Sequence, residues 1–125
     1  MTQDRNEQIA LMLGYVNTTP TDKDFKIFEF PTKVGCIPRM IETMSMQFHL
    51  DWNWLMEAVE FIERRGYGYV VEISGNPEKQ FCAITKINSD HSIVRVGYSD
   101  EVFTKKESVF IAVSDFAKLY NNKEL

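Results

Sequence analysis

The chain has little cysteine, no excess of basic charge and no long apolar run, and each shortage excludes a class of function. Only Cys36 and Cys82 occur in 125 residues, far apart and outside any Cys-x-x-Cys pair, so a disulfide framework is not expected and reduced thiols fit a cytosolic setting. Lys and Arg number 14 against 18 Asp and Glu, for a net charge of -4 and a pI near 5.2. That balance argues against a protein whose affinity comes mainly from neutralising phosphates. No apolar stretch approaches the roughly 20 residues needed to span a bilayer. Thr2 to Glu7 lacks a basic region leading into an apolar one, so it does not read as a signal peptide.

Catalytic and cofactor signatures are scarce as well. There is no Gly-x-Ser-x-Gly, no phosphate-binding Walker loop and no dinucleotide fingerprint. Gly66-Tyr67-Gly68-Tyr69 is glycine-rich, but it leaves a helix and enters a strand, the reverse of the order that cradles a phosphate. Cys36, His49, Cys82 and His91 are the only soft metal ligands, and they lack the paired spacing of a zinc site. Cys82 sits in an alternating apolar segment, where an inert buried thiol is expected. The reading is therefore a non-enzymatic protein with no cofactor and no metal, and a small enzyme lacking any recognisable motif is the second alternative.

What is present is enough apolar side chain for one core. With 44% hydrophobic and 13% aromatic residues, residues 1–125 are expected to form a single domain. Asp4 and Glu7 match a capping box ahead of Ile9, Ala10, Met12 and Leu13, and Gly14 can close that helix, at about 5–13, in a left-handed conformation. Phe25 to Phe30 is rich in strand formers and stops at Pro31, which suits a short strand or an extended edge segment. Beyond Pro38, Ile41 and Met44 are spaced for a short helix. Met40, Met44 and Met46 are read first as flexible core filling, with an adaptable binding surface as the other option.

Asp51 is placed to cap a central helix, with Leu50 and Leu55 as a hydrophobic staple. Trp52, Leu55, Val59 and Ile62 form one stripe, Ala58 and Phe61 widen it, Glu60 pairs with Arg64, and Gly66 ends the helix. Three strands follow at 69–74, 80–87 and 92–98, joined by connections short enough to require antiparallel pairing. Val71 and Ile73, Cys82 and Ile84, and Val94 and Val96 alternate as on strands with one covered face. Thr104 and Glu107 form a second capping box, and Val109, Val113, Phe116 and Tyr120 recur along a final helix at about 105–121. Asn121 to Leu125 is expected to fray.

The order helix, three-strand meander, helix, preceded by a short helix, now stands beside three local strings. They are Ile9 to Tyr15, His49-Leu50-Asp51-Trp52-Asn53-Trp54-Leu55-Met56 continuing through Glu63, and Val113 to Asn121. On these the chain resembles the phage ABA sandwich domain, a family of small phage and prophage proteins. The resemblance implies an α+β fold: a three-layer α/β sandwich built on the three-stranded antiparallel meander, with the extra N-terminal helix and a further edge strand. It also implies viral origin and the host-cell cytoplasm, and it carries no general catalytic residues. Thr18 to Met46 departs from the family pattern, so an individual function of this member is expected there.

Binding residues are read from the aromatics. Positions two apart on a helix point some 200° apart, so Trp52 and Trp54 cannot both face the core. The candidate ligand site is the opening beside Trp54, lined by Tyr67 and the methionine segment, with Arg64 or Arg65 available to an anion. Both arginines equally suit the negative end of the helix dipole. Helix-strand-strand-strand-helix is also the order of double-stranded-RNA-binding domains, in which Lys105 and Lys106 would reach phosphates; Glu101 and Glu107 flank them, which disfavours nucleic acid. The expected role is an accessory protein that blocks a bacterial defence by sequestering a host protein or a small nucleotide, with no membrane partner. Exposed aromatics would favour a homo-oligomer.

Overall fold

A computed structural model describes residues 2–20, 22, 24–31, 37, 39–65, 68–76, 79–99 and 104–125. The fold is α+β: among the described residues there are three α-helices and two three-stranded antiparallel sheets. In chain order these are α1 (Thr2–Met12), β1 (Val16–Asn17), β2 (Ile27–Glu29), β3 (Met40–Glu42), α2 (Trp52–Glu63), β4 (Tyr69–Asn76), β5 (Lys79–Ile87), β6 (Ile93–Ser99) and α3 (Lys105–Asn121). No described helix is long and apolar enough to cross a membrane.

Helix α1 ends as its glycine requires. Gly14 adopts φ +96°, and the Gly14 and Tyr15 amides donate to the Leu11 and Ala10 carbonyls at 3.1 and 2.9 Å, the paired bonds of a Schellman motif. The start of α1 differs from expectation. Asp4 lies inside the helix rather than capping it, and Glu7, buried, turns toward the small sheet, where Lys26 Nζ approaches its Oε1 at 3.1 Å. A buried carboxylate keeps its charge only with such a partner, so the second half of the assumed capping box instead ties α1 to the chain ahead of β2.

Strands β1, β2 and β3 form the small sheet in that order, with Phe28 opposite Asn17 on one side and Ile41 on the other. The short strand expected within Phe25 to Phe30 is β2, and it lies at the centre of a sheet of its own rather than at an edge. The short helix expected beyond Pro38 is replaced by β3 and a 3-10 turn, Thr43–Ser45; Pro38 itself lies outside the described residues. Pairing with β2 overrides the local helical spacing of Ile41 and Met44. The methionines divide: Met46 is fully buried, while Met40 and Met44 are exposed.

The meander matches expectation closely, with order β4-β5-β6 and Val71 opposite Ile84 and Ile73 opposite Cys82. Alternation holds at Val71, Cys82, Ile84 and Val96, while Ile73 on an edge strand and Val94 are partly open. Val94 departs because the register shifts between Ile84 and Thr85: Ile84 pairs with Gly97 and Thr85 with Arg95, leaving Val96 as an extra residue. Such a bulge breaks the period-two count. At Gly97 the α3 backbone comes close, since a Cβ there would lie 2.5 Å from the Ala112 carbonyl oxygen.

Thr104 caps α3, its Oγ1 accepting from the Glu107 amide at 3.1 Å, and Asp51 caps α2 by accepting from the Asn53 amide at 2.8 Å. Each cap is worth about 1 kcal/mol. Leu50, assigned to a staple with Leu55, stays mostly exposed while Leu55 is fully buried. Past Asn121 the chain makes a hydrogen-bonded turn instead of fraying: Lys123 adopts φ +59° and the Glu124 amide donates to the Leu119 carbonyl at 2.9 Å. One core unites Ile9 of α1, Phe28 of β2, Leu55 and Ile62 of α2, Ile84 of β5, and Val109, Val113 and Phe116 of α3. At about 1.5–3 kcal/mol per buried large side chain, this cluster holds both sheets to one body of helices.

Candidate functional site

Helix α2 has two useful faces. Leu55, Ala58, Val59 and Ile62 enter the core, which leaves Trp54, Glu57, Phe61, Arg64 and Arg65 recurring at three- and four-residue intervals on another side. That second face borders a cavity of about 760 Å³, closed opposite by Leu13, Tyr15, Phe30, Pro31 and Arg39. The volume lies in the range that accepts a small molecule.

Aromatic rings form the wall. Trp54 meets Phe48 and Phe30 edge to face at centroid separations of 5.1 and 6.3 Å, and Phe30 lies 4.8 Å from Tyr15. Such tilted contacts lock ring orientations, adding about 0.5–1.5 kcal/mol each beyond area burial. Trp54 is half-buried, so part of its surface is available to the cavity.

Charge lies around this wall. The Arg39 guanidinium sits 5.1 Å over Phe30. Arg64 pairs with Glu60 at 3.5 Å, the four-residue pair expected from the sequence. Arg65 packs 4.1 Å over the Phe61 ring and donates from Nη1 to the Tyr120 hydroxyl at 3.1 Å. Tyr15 reports the local field: burial first and the Glu57 carboxylate second push its phenol up to about 12, with Arg39 opposing them. A cavity with aromatic faces, guanidinium groups and the Glu57 carboxylate can stack a planar ligand, hold an anion and accept hydrogen bonds from a ring edge.

Trp54, Arg64 and Arg65, singled out in the sequence, thus border one cavity. Tyr67, singled out with them, lies outside the described residues, as does Gly66. Of the 18–46 segment, Phe30, Pro31 and Arg39 line the cavity and the methionines do not. Tyr15, Phe30, Arg39 and Glu57 were missed by sequence reasoning. Glu57 was detectable, three positions after Trp54 on the same helix; Phe30 and Arg39 arrive through the small sheet and had no local signal.

The other candidates lie away from this cavity. Trp52 diverges from Trp54 and sits 6.0 Å from the Lys106 ammonium, which donates to the Leu50 carbonyl at 2.8 Å. Lys106 therefore links the start of α3 to the chain before α2, and Lys105 is exposed in the first turn of α3. The thiol of Cys82 is buried and pushed up to about 12 by desolvation. Asn6 Nδ2 lies 3.0 Å from His49 Nδ1, and the His49 ring is 5.9 Å from Phe110; burial lowers its pKa. His91 occupies a tight turn at φ +68°, and Cys36 lies outside the described residues. Among the described residues no group of three or more His, Cys, Asp or Glu could hold a metal ion.

No protein-family model, curated protein or solved structure matches the chain.

Proposed function

We propose that this chain is a small non-catalytic binding protein that sequesters a nucleotide in the cavity beside Trp54. The observation that supports the reading most is the convergence of an aromatic wall, Trp54, Phe30 and Tyr15, with the guanidinium groups of Arg39, Arg64 and Arg65 around one opening. A base stacks on an aromatic face for about 1–3 kcal/mol whatever its identity, and guanidinium groups recognise phosphate oxygens. Taken with the resemblance to small phage proteins, the role is interception of a nucleotide signal on which a bacterial defence depends. The cytoplasm of an infected cell is its proposed place of action.

The RNA-binding alternative has less support, because Lys106 is committed to the Leu50 carbonyl and to the Trp52 ring. Native mass spectrometry of the protein purified from cells with an active defence tests the reading, together with calorimetric titration of nucleoside mono-, di- and triphosphates. A retained nucleotide mass, or saturable binding that Trp54→Ala weakens at least about fivefold, is the expected result. Absence of any nucleotide binding, with a retained host protein instead, overturns it; turnover of a substrate overturns the non-catalytic reading.

A further inference from the structure

We propose that the ligand is a dinucleotide, with its two bases in two cavities that flank Arg65 and its linking phosphate at that guanidinium. This rests on the nucleotide reading of the first cavity and extends it. A second cavity of about 530 Å³ lies on the far side of Arg65, bordered by Tyr69, Phe116, Tyr120 and Lys123. Arg65 borders both openings.

The partition between the cavities is built from stacked groups. Phe61, on the first cavity, meets Tyr120, on the second, edge to face at 5.7 Å, and Arg65 lies over both rings, at 4.1 and 5.8 Å. Its bond to the Tyr120 hydroxyl holds the guanidinium plane in place. A guanidinium carries five N–H donors in a fixed fork, so most of them stay available. Among the described residues no carboxylate is within ion-pairing distance of Arg65, whereas Arg64 beside it has Glu60 at 3.5 Å in an exposed pair. An oriented cation with no carboxylate of the described residues paired to it, placed between two aromatic recesses, suits a phosphodiester between two bases.

The second cavity, which Asn121 and Leu125 also border, combines aromatic rings with cations as the first does. Tyr69 meets Phe116 edge to face at 5.6 Å, and Phe116 stacks with Tyr120 at 6.4 Å. Lys123 adds a second cation, held beside this wall by the terminal turn of α3. A mononucleotide in the first cavity would leave this aromatic and cationic recess unused. Joining a second base to the first makes its binding intramolecular and multiplies affinity by the effective concentration that the linker imposes.

Calorimetric titration of the intact protein with AMP, GMP, the linear dinucleotides pApA and pGpG, their cyclic forms, and a ten-residue single strand provides the test. At least one dinucleotide is expected to bind about 100-fold tighter than its mononucleotide. Lys123→Glu is expected to collapse that ratio toward one, and Arg65→Gln to weaken every dinucleotide that binds. Mononucleotides that bind as tightly as dinucleotides overturn the inference and leave the first-cavity reading standing. A preference for the single strand over every dinucleotide overturns it in favour of a nucleic-acid groove. Failure of all these probes overturns both readings.

Discussion

Replacing Gly97 with alanine should separate α3 from the meander. The added Cβ would lie 2.5 Å from the Ala112 carbonyl oxygen and 3.1 Å from Ile84 Cδ1. The Ile84 methyl is the end of a flexible side chain and can turn away; the Ala112 oxygen belongs to the α3 backbone and can retreat only if the helix moves. Val109, Val113 and Phe116 of α3 are fully buried, so a shift loosens the middle of the core. Overpacking typically costs 1–3 kcal/mol, and a backbone obstacle places this case near about 3 kcal/mol, a fall of roughly 10 °C in melting temperature for a domain of this size. Denaturant unfolding at unchanged m-value measures the loss. Gly14→Ala is the control, because its nearest neighbours are Pro31 atoms at 3.8 and 3.9 Å and only its φ of +96° is unfavourable, for about 1 kcal/mol. Adding Ile84→Val to Gly97→Ala should recover almost nothing. Stability of Gly97→Ala within about 0.5 kcal/mol of the parent, or full rescue by Ile84→Val, would refute the argument.

Two further outcomes follow from titratable groups that burial perturbs. Burial lowers the pKa of His49 below its ordinary value of 6.5, so the unfolded chain takes up its proton first as pH falls. Stability from the neutral imidazole is complete above 6.5 and is lost as pH drops from there through the folded pKa; His49→Gln should flatten that part of the stability-against-pH curve, measured by thermal melts between pH 4.5 and 7.5. Cys82, buried with its thiol pushed up to about 12, should resist iodoacetamide at pH 8 in the folded protein and react once unfolded, as peptide mass mapping would read.

How much of the molecule was legible depended on the length over which a local pattern could repeat. The meander was readable because each strand is seven to nine residues long and the connections permit only antiparallel neighbours. Helix α3 was readable from Thr104 to Asn121 because its cap and apolar stripe agree. The small sheet was not: β1, β2 and β3 have two, three and three residues, too few to show a period. In Met40 to Met44, helical spacing lost to pairing of Ile41 with Phe28. On the site, Trp54 lies on α2 and Arg64 and Arg65 directly follow it, so the three could be grouped in advance. Tyr15, Phe30 and Arg39 could not, because they come from three separate stretches that only the folded chain brings together.

Local chemistry therefore determined the end of α1, the starts of α2 and α3, the meander and the cavity-facing side of α2. Glycine 14, Asp51 and Thr104 each act on backbone groups within a few residues, and such interactions are written in adjacent positions. Tertiary structure alone decided the small sheet, the bulge at Val96, the burial of Glu7 against Lys26, and the placement of Arg65 between two cavities. Each depends on partners distant along the chain, whose pairing is favourable only after the shared core has brought them into contact.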